Sequence, residues 1–431
     1  MCYALPGRVK SINGKNVIVE YYGEEKKAIN ELKNLETGDY VYAQGGHVIE
    51  KITPVEANDI LETWKDVFFE LKKVDAGTIN IDLSDFPDSH TKEILKKALE
   101  GSDIERTDTL DLLQLRGLQN VELLYQTANH LRQKYHDNSC CVHGIIEISN
   151  ICKNDCAYCG ISTYNTSVAR YRMNKAEILA AVEQAVVKYG FKSLVLQCGE
   201  GAYPIEELVD IVKTIKNTYA ALICISFGEI GFDGLTAMYD AGARAILMRF
   251  ETSSPVLYKQ VCPGRSLEKR ISELREAYRL GYLITTGSLI GIPGQQIEDI
   301  INDIQLASEL HAEMMSFGPF ISHPQTPLHN VPSVDEELML KVISVARIIA
   351  HREAKVLVTT AFETISPNAR YKGLKAGASS LMLNVTPLSC RTLYSLYPNR
   401  AHENESIQAQ IDDTIKLLME LGRAPTDLSV I

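Results

Sequence analysis

Residues 148–160 read ISNICKNDCAYCG. Cys152, Cys156 and Cys159 form a C-x₃-C-x₂-C run directly after an apolar stretch, 142–149, whose composition predicts a β-strand. Three thiolates on a short loop leaving a strand can each take one iron of a [4Fe–4S] cube and leave the fourth iron without a protein donor. An open iron suits chelation by the amino and carboxylate groups of S-adenosylmethionine, whose sulfonium one electron can cleave to a 5′-deoxyadenosyl radical. Zinc is the competing reading. Zinc sites, however, show a C-x₂-C pair with a distant second pair, and this chain has no second pair.

From residue 142 onward, strand and helix patterns alternate eight times. Strands are predicted at 142–149, 193–197, 222–226, 245–249, 283–289, 314–317, 356–360 and 380–384, mostly separated by amphipathic stretches of helical length. Connections of that length force parallel strands, and eight units predict a complete (β/α)₈ barrel, with a partial barrel of six units as the alternative.

Polar and glycine-rich clusters fall just after these strands, the end at which barrel enzymes build their sites. They are the three cysteines, Cys198–Gly199–Glu200, Ser226 with Phe227–Gly228–Glu229, and Arg249–Phe250–Glu251. Gly287 to Gly291, Thr359–Thr360, and Asn384 with Tyr394 and Tyr397 beyond it complete the set. Charges at a barrel mouth need partners: an arginine such as Arg249 fits a carboxylate, and Glu229 and Glu251 fit an ammonium or ribose hydroxyls. Arg249 and Glu251 point the same way on a period of two, so a mutual ion pair is the competing reading. Gly287 and Gly291 leave room for close approach of an adenine.

The chain has 431 residues, enough for more than one domain or for one large barrel with an appendage. A hydrophobic content of 45% and a charged content of 23% are those of a globular protein. The net charge of −11 argues against nucleic acid or anionic lipid as partners, and no apolar run approaches a membrane span. The start, MCYALPGRVK, lacks the basic region and long apolar core of a signal peptide. Ten cysteines in such a chain therefore predict reduced thiols, metal chemistry and a cytoplasmic location.

Residues 1–52 read as a small β unit. Asn13–Gly14 is a hairpin signal between 8–12 and 16–22, Gly23–Glu24 gives another turn, and short strands follow at 40–43 and 47–52. Thr53 and Glu56 form a capping box with Pro54 at the first helical position, predicting a helix over 53–73 with Trp64, Phe68 and Leu71 on one face. Residues 74–90 read as a linker, so the predicted division is 1–52, 53–90 and 91–431. Helices are expected at 91–99, 107–116 and 120–135.

The region from about 91 to 425 resembles HydE-type radical-SAM proteins, maturases of [FeFe]-hydrogenase and relatives of biotin synthase and methylornithine synthase. The matching runs are SNICKNDCAYCG at 149–160, RYRM at 170–173, LVLQCGE at 194–200, SFGE at 226–229, GSLIGIPGQ at 287–295, FGPFISHPQTPL at 317–328 and LYSLYP at 393–398, together with Thr359–Thr360. The resemblance implies a [4Fe–4S] cluster and S-adenosylmethionine as cofactors. It places Tyr158 against the adenine and Cys198–Gly199–Glu200 beside the methionine ammonium. It also implies that Gln197, Thr359, Thr360, Tyr394 and Tyr397 line a substrate cavity, in which the radical meets a sulfur-containing substrate, an iron–cysteinyl complex. The chain departs from the family at 161–164, at Phe250, at Val385 and Cys390, and in having no cysteine in 399–425. The set facing S-adenosylmethionine is complete, while the substrate does not carry over.

Residues 1–52 resemble the HypC/HupF family of hydrogenase maturation chaperones, on MC-x-A-x-PG-x-V at 1–9 and GDYV at 38–41. In that family the cysteine after the initiator methionine, here Cys2, is a ligand for iron in transit. The family's partner histidine falls at Gln44, with His47 three residues on. Together the two resemblances imply a radical-SAM enzyme of metal-cofactor maturation. Its partners would be an organometallic or other small-molecule substrate, a reductant such as ferredoxin or flavodoxin, and other maturation proteins. The alternatives are a biotin synthase- or methylornithine synthase-like enzyme acting on an organic substrate, and a non-catalytic carrier of an iron complex.

Overall fold

The computed structural model describes residues 5–79, 81 and 89–426. Cys2 lies outside that range. Five strands, β1 (Gly7–Asn13), β2 (Asn16–Tyr21), β3 (Glu24–Asn30), β4 (Tyr40–Gln44) and β5 (His47–Ile52), close into a small barrel in the order β1-β2-β3-β5-β4. The Asn13–Gly14 turn leads β1 antiparallel into β2. Alternate side chains of these strands, Val9, Val17, Val19 and Val41 among them, fill its core.

Helix α1 (Pro54–Gly77) starts at the expected cap, where the Thr53 hydroxyl accepts from the Glu56 amide at 3.2 Å. Phe68 and Leu71 are buried against the small barrel, with Trp64 packed beside them. One turn on, Asp75 enters the larger domain. There its carboxylate accepts from the Arg132 guanidinium at 2.7 and 2.8 Å and from Arg423 Nε at 2.8 Å. Helices α2 (Ser89–Glu100), α3 (Arg106–Gln114) and α4 (Leu118–His136) follow.

The larger domain is a closed barrel of eight parallel strands, the complete form rather than the six-unit alternative. In spatial order these are β6 (Cys141–Ser149), β7 (Ser193–Cys198), β8 (Leu222–Ser226), β9 (Ala245–Leu247), β10 (Leu283–Thr286), β12 (Ala312–Met315), β14 (Lys355–Val358) and β15 (Ser380–Asn384), with β15 closing onto β6. Every residue of β8 is buried, as expected of a parallel strand covered on both faces. The stretch expected as one strand over 283–289 is broken. A Cβ on Gly287 would lie 2.1 Å from the Ser316 carbonyl oxygen, and beyond it β11 (Leu289–Ile290) pairs with β13 (Gly318–Pro319) outside the barrel. The stretch at 245–249 also ends early, since β9 stops at Leu247 and releases Arg249 to the mouth.

The small barrel sits under the opposite end. Tyr42, Ile49 and Ile52 pack with Ala57 and with Leu222 from the start of β8. The turn between β4 and β5 presses upward: a Cβ on Gly45 would lie 2.7 Å from Leu283 and 3.1 Å from Leu222.

Candidate functional site

The C-terminal ends of the strands surround a cavity of about 310 Å³. Cys152 and Cys159 line it, and Cys156 lies on the same loop. The loop leaves β6 with little regular structure and is tied down from outside. The Arg170 guanidinium donates to the carbonyls of Asn150 and Ile161 at 2.6 and 2.7 Å and to those of Ser162 and Asn165 at 2.8 and 3.0 Å. The Ala157 amide donates to Val261, the Gly160 amide to Leu396, and the Ala157 carbonyl accepts from the Leu328 amide. Three of the matching runs thus converge on one loop.

The thiols sit in unequal surroundings. Burial pushes Cys152 and Cys159 above the usual thiol range. Cys156 is held below it, first by a hydrogen bond with Cys262 at 3.9 Å and then by Arg270 and Arg265, against the opposing effect of burial. Among the described residues no three His, Cys, Asp or Glu side chains converge on a point as a mononuclear ion requires. Thiols that serve separate irons of a cube need not converge, so the donor set fits a cluster and not a single ion.

Gly199 accounts for the glycine of the second cluster. A Cβ there would lie 2.1 Å from the Ile151 carbonyl oxygen and 2.7 Å from Cys152 Cβ, so only glycine lets β7 pass the cysteine loop. Beside it, burial alone would raise the Glu200 carboxyl, but hydrogen bonds from the Glu229 amide at 2.9 Å and from Arg265 at 3.0 Å hold it below the ordinary range. Arg249 Nη2 and Glu251 Oε2 form an ion pair at 2.7 Å at the cavity wall, and Glu251 holds a left-handed backbone at φ +67°. A paired guanidinium and carboxylate side by side present a charge complement to a zwitterion.

The structure brings together on this cavity Gln197, Cys198, Gly199, Glu200, Ser226, Arg249, Glu251, Tyr158, Thr359, Thr360, Tyr394 and Tyr397. The Tyr158 ring packs 5.8 Å from that of Phe320. Thr359 also caps the helix Thr360–Ile365, accepting from the Phe362 amide at 3.3 Å. Three of the expected residues lie elsewhere. The Glu229 carboxylate is turned to Arg265 at 2.5 Å and Arg270 at 3.2 Å, outside the lining. The space in front of Gly287 and Gly291 is taken by Ser316 and Val334, so these glycines serve chain packing.

Four lining or supporting residues were not anticipated: Glu147, Arg400, Arg265 and Arg270. Glu147, on β6, is buried in a bidentate ion pair with Arg400 at 2.6 and 3.0 Å. The only sequence signal for Arg400 is its place just past LYSLYP.

An eight-stranded parallel barrel with a C-x₃-C-x₂-C loop after its first strand defines the class: residues 146–307 match the Radical SAM superfamily. Residues 1–64 match the HupF/HypC family. The [FeFe] hydrogenase maturase subunit HydE of Thermotoga maritima is 37% identical over 336 residues, covering 78% of this chain and 92% of that protein. The 3-methylornithine synthase of Methanosarcina acetivorans is 28% identical, covering 77% and 93%. The solved structure of methylornithine synthase (PylB) has a TM-score of 0.68 at 25% identity, covering 77% of this chain and 97% of that one. The chain therefore belongs to the HydE family of radical SAM enzymes, a class that uses a [4Fe–4S] cluster to cleave S-adenosylmethionine. No helix among the described residues is long and apolar enough to cross a membrane.

Proposed function

We propose that Cys152, Cys156 and Cys159 hold the cluster, and that the enzyme directs its radical at a sulfur-containing substrate or iron complex in the maturation of a hydrogenase-type metal cofactor, in the cytoplasm. The cluster and S-adenosylmethionine together supply a 5′-deoxyadenosyl radical. The chain's own residues bind, orient and exclude water. The Arg249–Glu251 pair opens toward the carboxylate and ammonium of the methionine part. Gly199 keeps the backbone clear beside Cys152 so that neighbouring carbonyls can accept from that ammonium. Tyr158 offers its ring to the adenine, and Ser226 a hydroxyl to the ribose. Glu229, held by two arginines, orients Arg265 and through it Glu200. Gln197, Thr359, Thr360, Tyr394 and Tyr397 form the far wall, where the substrate is held.

The observation that carries this reading is the lining itself: the cysteine loop, the charged pair and the hydroxyl-bearing wall share one cavity. The likeness to HydE, a maturase, and the HupF/HypC match at the other end of the chain support maturation over synthesis of an amino acid. We keep 1–52, 53–90 and 91–431 as the working division, with a low-potential reductant and other maturation proteins as partners.

The test is substrate-stimulated cleavage. Reconstituted full-length enzyme with dithionite and S-adenosylmethionine should give a slow background of 5′-deoxyadenosine. A mononuclear iron(II) cysteinate bearing CO and cyanide should raise it several-fold, with the complex consumed in step. No stimulation by the complex, together with 3-methylornithine formed from lysine, would overturn the reading.

A further inference from the structure

The far wall of the cavity has two parts. One is the start of the helix Thr360–Ile365, which brings Thr359 and Thr360 to the cavity. The other is the segment 394–400, a cap with neither helix nor strand that brings Tyr394, Tyr397 and Arg400. Arg400 ties the cap to Glu147 on β6, and the Leu396 carbonyl ties it to the cysteine loop by accepting from the Gly160 amide at 2.7 Å. The turn just beyond joins the cap to the helix. The Ala401 amide donates to the Thr364 hydroxyl at 3.0 Å. His402 Nε2 lies 2.6 Å from Glu363 Oε2, and His402 Nδ1 lies 2.8 Å from Glu405 Oε2.

Both ring nitrogens of His402 therefore face carboxylate oxygens. Only an imidazolium carries a hydrogen on each; a neutral ring donates once and turns a lone pair on the other carboxylate. The neighbouring charges agree. Arg370, on the helix Ala369–Lys375, reaches Glu363 at 2.7 Å. Arg391 is committed to the backbone carbonyls of Thr386, His402 and Glu405, and Arg400 to Glu147. Glu363, Glu405, Arg370 and His402 sum to zero only while His402 is protonated. Burial alone would lower the imidazolium, and Arg370 acts in the same direction, but the bonds to Glu363 and Glu405 hold it above the ordinary histidine range.

We propose that His402 is a positioning residue for the substrate wall: its imidazolium clasps the cap to the helix Thr360–Ile365, and loss of its proton releases the cap. Tyr394, Tyr397 and Arg400 then lose their fixed placement opposite Thr359 and Thr360. A histidine raised on folding contributes stability below its unfolded value that is lost as pH rises through the folded value. The cap is thus held in acid and loosens toward base. The inference rests on reading this wall as the substrate side, but its first test needs no substrate.

Holoenzyme with S-adenosylmethionine bound is followed by amide hydrogen exchange from about pH 6 to about pH 9, with each rate divided by its intrinsic value. Protection of peptides covering 394–402, the Ala401 amide included, should fall several-fold through a single midpoint. His402→Asn removes the charge while keeping a residue suited to the left-handed backbone at φ +62°, and its protection should be low and independent of pH. Glu363→Gln should move the midpoint down. A native profile without a step in this range, or a step that persists in His402→Asn, overturns the proposal. The native profile decides even if a variant fails to fold. The second measurement is the KM for the iron(II) cysteinate complex. It should rise several-fold through the same midpoint in the native enzyme and stay high in His402→Asn at unchanged cluster iron. A cap that opens while KM stays fixed overturns the positioning role. A complex that stimulates nothing at any pH overturns the maturation reading instead, and the exchange profile then decides the clasp.

Discussion

The sulfur of Cys262 lies 3.9 Å from that of Cys156, and Cys262 is buried beneath the cysteine loop. When Cys156 is a thiolate on iron, the neighbouring thiol donates to it, and hydrogen bonds to cluster sulfurs raise the reduction potential. A hydrogen bond worth about 1 kcal/mol corresponds to about 40 mV for one electron, so Cys262→Ala should lower the cluster midpoint by about 20–60 mV. Redox titration followed by electron paramagnetic resonance reads this directly. An unchanged midpoint would leave Cys262 a packing residue.

Gly199→Ala tests the close passage of β7 past the cysteine loop. The added Cβ meets backbone, the Ile151 carbonyl oxygen at 2.1 Å, which cannot swing aside. Iron and sulfide retained after reconstitution should fall several-fold while the far-ultraviolet circular dichroism stays native. Full cluster content in the variant would show that the loop can shift.

Asp303, on the helix Ile297–Glu309, accepts from the Ser253 amide at 2.6 Å and is fully buried. Burial, outweighing those hydrogen bonds, pushes its carboxyl up to about 6. A raised carboxyl contributes stability below the unfolded value near 3.9 that is lost as pH rises through the folded value. Asp303→Asn should therefore raise stability at pH 7.5, by about 1–3 kcal/mol, and flatten the decline between about pH 4 and 6. Urea unfolding across that range is the measurement. Destabilisation at pH 7.5 would mean that the ionised form is the one the fold needs.

Glu147 and Arg400 are buried together, so losing one partner strands the other. Arg400→Met should cost about 3–5 kcal/mol, and Glu147→Gln in the same chain should restore most of it. A double-mutant cycle by thermal unfolding gives the coupling, and additive losses would show that the pair does not act as a unit.

The cysteine spacing and the eight-unit count were legible because each is a local pattern: a spacing, or a short apolar run with a polar residue after it. The helix cap at Thr53 was legible for the same reason. Glu147–Arg400 spans 253 residues of sequence and Arg265–Glu200 spans 65, and no periodicity links residues that only the closed barrel brings together. Gly287 and Gly291 were ambiguous in kind. A missing side chain makes room without saying for what, and here the occupants are Ser316 and Val334 rather than a ligand. Gly287 also marks the break in the expected strand over 283–289, where Thr285, Thr286 and Ser288 flank it between the apolar pairs Leu283–Ile284 and Leu289–Ile290.

The seating of Gly45 between Leu222 and Leu283 has a bearing on how the two lobes can be taken apart. Cutting away the first fifty-odd amino acids would expose Leu222 and Leu283 at the foot of the larger domain. Swapping that glycine for a bulkier side chain leaves the polypeptide whole and presses on the ends of those two leucines, a gentler way to ask what the lower lobe contributes to the upper.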